Sequence, residues 1–99
     1  MTDETALNKA AARATRAQKL LDDELLGEAF TSLESAYIAA WRATTIEDIT
    51  GREKLFFAIN VVGKVRDHLT KVVSDGKLAQ AELKQLAETA ERKKRFGII

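Results

Sequence analysis

Leu7, Ala10, Ala14, Ala17, Leu21 and Leu25 recur three and four residues apart near the start of the chain, the spacing that gathers side chains on one face of a helix. The period continues through Leu26, Phe30, Leu33, Tyr37 and Trp41, where three aromatics share a face. Between Ala6 and Ala43 only Gly27 interrupts the pattern, and a lone interior glycine costs about 1 kcal/mol relative to alanine. The pattern therefore predicts one long first helix, bent at Gly27. Its first part is mostly alanine, which permits close helix approach but removes little surface from water. Residues 1–20 read as an arm that is helical when packed on a partner or another copy.

Residues 44–50, Thr-Thr-Ile-Glu-Asp-Ile-Thr, combine β-branched and short polar side chains that favour leaving a helix, and read as the connection. Thr50 and Glu53 have the spacing of a capping box. A second helix follows, with Leu55, Ile59, Val62, Val65, Leu69 and Val72 in phase and Phe56 and Val73 widening the stripe. Ser74-Asp75-Gly76 reads as its C-terminal cap. A third helix over 78–93 carries Leu83, Leu86, Ala87 and Ala90 on one side. The expected fold is all-α: an antiparallel helical hairpin with a long first helix and a second helix, followed by a third short C-terminal helix. Leu26–Trp41 packs on Leu55–Val73 in this reading, and a short connection makes the neighbouring helices antiparallel. It divides the chain into a single helical domain over 1–93, with the arm at 1–20 and the hairpin core at 21–75, and a tail at 94–99.

Composition narrows the picture further. Ninety-nine residues without proline and with five glycines suit one helical core, and the absence of cysteine removes disulfides and thiolate sites. The start Met1-Thr2-Asp3-Glu4 is acidic, and no segment reaches the roughly 18 apolar residues of a membrane span. The expectation is a cytoplasmic protein with no membrane partner. Net charge is +1, yet residues 1–50 hold five Lys/Arg against nine Asp/Glu, and residues 51–99 hold eleven against six. That asymmetry favours an antiparallel hairpin or a head-to-tail oligomer.

A catalytic apparatus is not legible. The sole imidazole, His68, follows Asp67 directly, and adjacent helical residues point about 100° apart, so Asp67 does not orient it as a catalytic base would need. No His-x-x-x-His spacing or glycine-rich phosphate loop is present. Residues 71–82 place Asp75, Gly76 and Glu82 at the fifth, sixth and twelfth positions of a calcium loop, but Lys71 and Val73 stand where the first two carboxylates belong. Asp22, Asp23, Glu24 and Glu28 read as a solvated acidic patch. The sequence thus implies no enzyme, no cofactor and no metal.

Interaction chemistry is better represented. Arg92, Lys93, Lys94 and Arg95 either neutralise phosphates or offset the negative end of a helix dipole. Lys9, Arg13, Arg16 and Lys19 form a second basic stripe, suited to nucleic acid or to solvating the alanine helix. Phe96, Ile98 and Ile99 end the chain as a short apolar segment that either docks on a partner or packs back on the hairpin. Trp41 is in phase with the core stripe, with a role as an interface anchor as the alternative.

Ala40-Trp41-Arg42-Ala43-Thr44, Gly51-Arg52-Glu53-Lys54-Leu55 and Asp75-Gly76-Lys77-Leu78-Ala79, within Leu20 to Leu83, resemble small helical-hairpin proteins of tailed phages and prophages of proteobacteria. The resemblance implies an oligomeric virion or DNA-packaging protein, capsid-associated, head–tail or small-terminase-like, located in the host cytoplasm or the virion. Residues 1–20 are too short for the helix-turn-helix domain that a small terminase normally adds. Three functions follow as expectations: a non-enzymatic assembly subunit that self-associates or joins other phage structural proteins, a nucleic-acid-binding accessory protein, and a small regulator docking through its C-terminal tail.

Overall fold

The computed structural model describes residues 3–95 as three α-helices, α1 (Glu4–Asp22), α2 (Glu24–Ala43) and α3 (Ile49–Arg95), with no strand among the described residues. Phe96, Ile98 and Ile99 lie outside the described residues. The molecule is long and thin, with principal extents of 75 × 28 × 16 Å and a radius of gyration of 21.5 Å; a globular chain of this length has about 13 Å. Its length is that of α3, whose 47 residues rise by about 70 Å. This elongated all-helical shape fits a hairpin or a coiled coil.

Two boundaries differ from the sequence expectation. The long first helix is two helices, and the break falls at Asp23 rather than Gly27. Asp23 adopts an extended conformation (φ −69°, ψ 118°) and its side chain accepts a hydrogen bond from the Leu26 amide at 2.8 Å, satisfying a backbone donor that α2 leaves free. Gly27 stays helical with open space around it. An aspartate that can cap a new helix interrupts the old one more effectively than a glycine that is merely tolerated.

The expected second and third helices are one. Ser74-Asp75-Gly76 lies within α3, with Lys71 Nζ donating to Asp75 Oδ2 at 3.0 Å one turn apart. Gly76 serves close packing instead of a cap: a Cβ built there would overlap the Ala14 Cβ and stand 2.9 Å from the Ala10 carbonyl oxygen. At the start of α3, Asp48 provides the cap expected of Thr50, its Oδ1 accepting from the Gly51 amide at 3.0 Å. Thr50 is already helical, so Thr50 and Glu53 form no capping box.

The buried hydrophobic residues are Ala14, Ala17, Val73 and Ala79, and no large side chain is fully buried among the described residues. The tightest packing therefore lies between the alanine arm and α3, not between Leu26–Trp41 and Leu55–Val73. Along α3 the less exposed residues Arg52, Leu55, Ile59, Val62, Arg66, Leu69, Val73 and Gly76 alternate steps of three and four, the seam of a coiled coil. Leu7, Ala10, Ala14, Ala17 and Leu21 do the same on α1. Much surface stays uncovered: the accessible area is 7957 Å², against about 5,600 Å² for a compact monomer of 10.9 kDa.

Glycine substitutions test this packing. Gly76→Ala forces α1 away from α3 and is expected to destabilise the fold by about 1–3 kcal/mol despite the better helix propensity of alanine. Gly63→Ala, where an added Cβ meets nothing within 4 Å, is expected to stabilise by about 0.5–1 kcal/mol. Urea denaturation followed by circular dichroism measures both; equal effects would mean that Gly76 is not a close-approach site.

Candidate interaction surfaces

The order of contacts sets which surfaces adjoin. Ala10 and Ala14 of α1 meet Gly76 of α3, Glu34 and Phe30 of α2 meet Arg66, and Trp41 meets Arg52. One half of the rod thus contains α1 with the later part of α3, and the other contains α2 with its earlier part.

Two arginines on the inward seam of α3 were not singled out from the sequence. Arg66 places its guanidinium 5.1 Å from the centre of the Phe30 ring and 3.4 Å from Glu34 Oε1. Arg52 lies 5.7 Å from the centre of the Trp41 ring. Each covers an aromatic face with a cation, which is attracted by the ring's negative face, and its aliphatic stem packs while its charged head stays near water. The signal was present: Arg52 precedes Leu55 by three, and Arg66 falls between Val62 and Leu69 at steps of four and three. Trp41 is half-buried in this intramolecular contact, and its carbonyl accepts from the Thr44 hydroxyl at 2.6 Å where α2 ends.

Of the residues considered for nucleic acid, Lys9, Arg13, Arg16 and Lys19 are all exposed on α1. Arg13, Arg16 and Lys19 border an open groove of about 630 Å³ whose far wall is His68, Leu69 and Val72 of α3. Arg92, Lys93 and Lys94 are exposed near the end of α3, and Arg95 is its last helical residue. Arg92 stands about 24 Å along the axis beyond Gly76, so the two basic clusters share one half of the rod without merging. Neither contributes to the ion pairs among the described residues, which are Arg66–Glu34 and Lys71–Asp75.

The remaining candidates have local structural partners. Asp23 caps α2, and Asp22 Oδ1 accepts from Gln18 Nε2 at 2.8 Å. Residues 71–82 are continuous helix, which provides no calcium loop. No group of three or more His, Cys, Asp or Glu side chains that could hold a metal ion occurs among the described residues. His68 is exposed and borders both the groove beside α1 and an apolar depression of about 330 Å³ lined by Val61, Lys64, Val65 and Leu69. No described helix is long and apolar enough to cross a membrane. Comparison with protein-family models, curated proteins and solved structures returns no match.

The Arg66 contact gives a direct test. Arg66→Ala removes a cation over Phe30 and a partly exposed ion pair, and is expected to cost about 1–2 kcal/mol. A double-mutant cycle with Glu34→Ala should return a coupling of under about 1 kcal/mol, leaving the larger share to the aromatic contact and the packed stem. A coupling that accounts for the whole loss would reverse that assignment.

Proposed function

We propose that this chain is a non-enzymatic assembly protein that works by self-association, of the kind carried by phages and prophages, acting in the host cytoplasm or within the virion. The observation that carries this reading is the uncovered apolar surface of the rod: Leu25, Ile46, Ile49, Phe56, Phe57 and Leu78 are each more than half exposed. A chain with so thin a core of its own gains stability by burying further surface against another molecule, because apolar burial is the principal favourable term in folding and association. The α1–α2 segment runs antiparallel to α3 in this proposal, a reading supported by the contact sequence Ala14–Gly76, Glu34–Arg66 and Trp41–Arg52. The rod is then a building unit whose lateral faces and ends are available for assembly.

Nucleic-acid binding is the second reading, favoured by the exposure of Lys9, Arg13, Arg16 and Lys19 on one helix and of Arg92, Lys93 and Lys94 on another. It places the basic half of the rod against phosphate, with affinity that falls steeply as salt is added.

Size-exclusion chromatography with light scattering distinguishes the first two. The assembly reading expects an oligomer whose mass is insensitive to added salt, since apolar contacts hold it together. A monodisperse monomer at high protein concentration would sink that reading. DNA retention at low salt that is lost at high salt, without any oligomer, would instead favour nucleic-acid binding.

A further inference from the structure

A second apolar seam runs along α3 beside the one that faces α1 and α2. Ala58, Val61, Val65 and Val72 each precede by one a residue of the inward seam, namely Ile59, Val62, Arg66 and Val73. They therefore lie along one flank of it, with the exposed His68 at the intervening position between Val65 and Val72. Nothing among the described residues covers the middle of this flank: Val61 is 41% and Val65 is 48% exposed, with Phe57 beyond them at 71%. Helices with one partner face need a single seam, and the outward valines on this one are surplus to the hairpin.

We propose that this flank of α3 is the interface of a two-fold dimer in which a second copy lies alongside in the antiparallel sense, with the axis passing near Val65. The inference rests on the self-association reading and specifies its surface. Charge selects the occupant and its direction. Residues 22–66 hold five Lys/Arg against eight Asp/Glu, whereas residues 9–21 and 67–81, the part of the other half that lies within reach of an antiparallel neighbour, hold six against two. The contacts described above place these two groups in opposite halves of the rod, with the boundary on α3 next to Val65. A parallel neighbour would set like charge on like, while an antiparallel one pairs the acidic half of each copy with the basic half of the other. End-to-end stacking also pairs opposite charges but leaves the mid-helix seam in water.

Geometry closes the arrangement. About a two-fold axis at Val65, Ala58 faces Val72 of the second copy and Val61 stands level with its His68 and the edge of its Leu69, so a single patch complements itself. Apolar contact supplies the affinity, and the charges supply direction and rate of encounter.

The chain contains no cysteine, so single cysteines report the geometry in the full-length protein. Val65→Cys is expected to form a disulfide-linked dimer under mild oxidation. Phe57→Cys is expected to remain uncrosslinked, because its counterpart lies about 24 Å away along the antiparallel axis. Crosslinking of both variants would reveal a parallel pair, and failure of Val65→Cys would remove this interface; either overturns the proposal. The double variant Val61→Glu/Val65→Glu should keep its helicity by circular dichroism and raise the dimer dissociation constant at least about a hundredfold. An oligomer unaffected by that variant would overturn this interface while leaving self-association intact. A native chain that is monomeric throughout would overturn both.

Discussion

The close approach of α1 to α3 at Ala14 and Gly76 is the constraint on which the rest of the molecule depends. Because an added Cβ at Gly76 would overlap Ala14, the two backbones come nearer than larger side chains would permit, and the contact is made by Ala14, Ala17, Val73 and Ala79. Packing of this kind gains van der Waals contact over a long seam but buries little area per residue. The opposite half of the rod has different requirements, since Phe30, Tyr37 and Trp41 need room between helices. A continuous first helix would have to hold both spacings along one straight axis. The break at Asp23 falls between the alanine stripe and the aromatic one, where the chain can change from the narrow spacing to the wide one with the loss of a single helical residue. Asp23 then caps the new helix, which offsets the cost of interrupting the old one.

Arg52 and Arg66 belong to the wide half for the same reason. A purely aliphatic seam facing three aromatics at greater spacing would leave gaps, and an arginine reaches across while keeping its charge partly hydrated. The cation over Phe30 also neutralises Glu34, which stands in phase with the inward-facing residues of α2. Sequence periodicity alone assigned these positions poorly, because a charged residue on the inward face reads as an interruption of the stripe. In the structure it continues the stripe with a different chemistry.

The helical class was legible because composition and three-and-four spacing act locally, but the phase of the α3 stripe was legible only in part. Val65, read as part of it, is 48% exposed, and Arg66 and Val73 take the inward positions read as Val65 and Val72. Boundaries were less legible wherever a local signal had two physical uses. Gly76 satisfies a helix C-terminus and a close helix contact equally well; only the position of Ala14, 62 residues earlier in the chain, selects the second. Thr50 and Asp48 compete to cap the same helix, and Asp48, whose Oδ1 reaches the Gly51 amide, wins. The basic residues were readable as exposed, which Lys9, Arg13, Arg16 and Lys19 are, but not as flanking a groove formed with His68 and Val72. That depends on how α1 docks, information that no single stretch of sequence contains.

The last part of α3 follows a different logic. Leu83 and Leu86 are partly covered, whereas residues 87–94 are all exposed, so this end of the helix has no partner among the described residues. An isolated helix this short is marginal in water, but here it only extends one already nucleated, and propagation is far less costly than initiation. Arg92, Lys93 and Lys94 favour that extension by offsetting the negative end of the helix dipole, a structural role that requires no ligand. The same cations stand apart from the flank carrying Val61 and Val65, by about 40 Å along the helix. Lateral association of two rods, as proposed, would therefore leave both projecting basic ends free, pointing in opposite directions in an antiparallel pair.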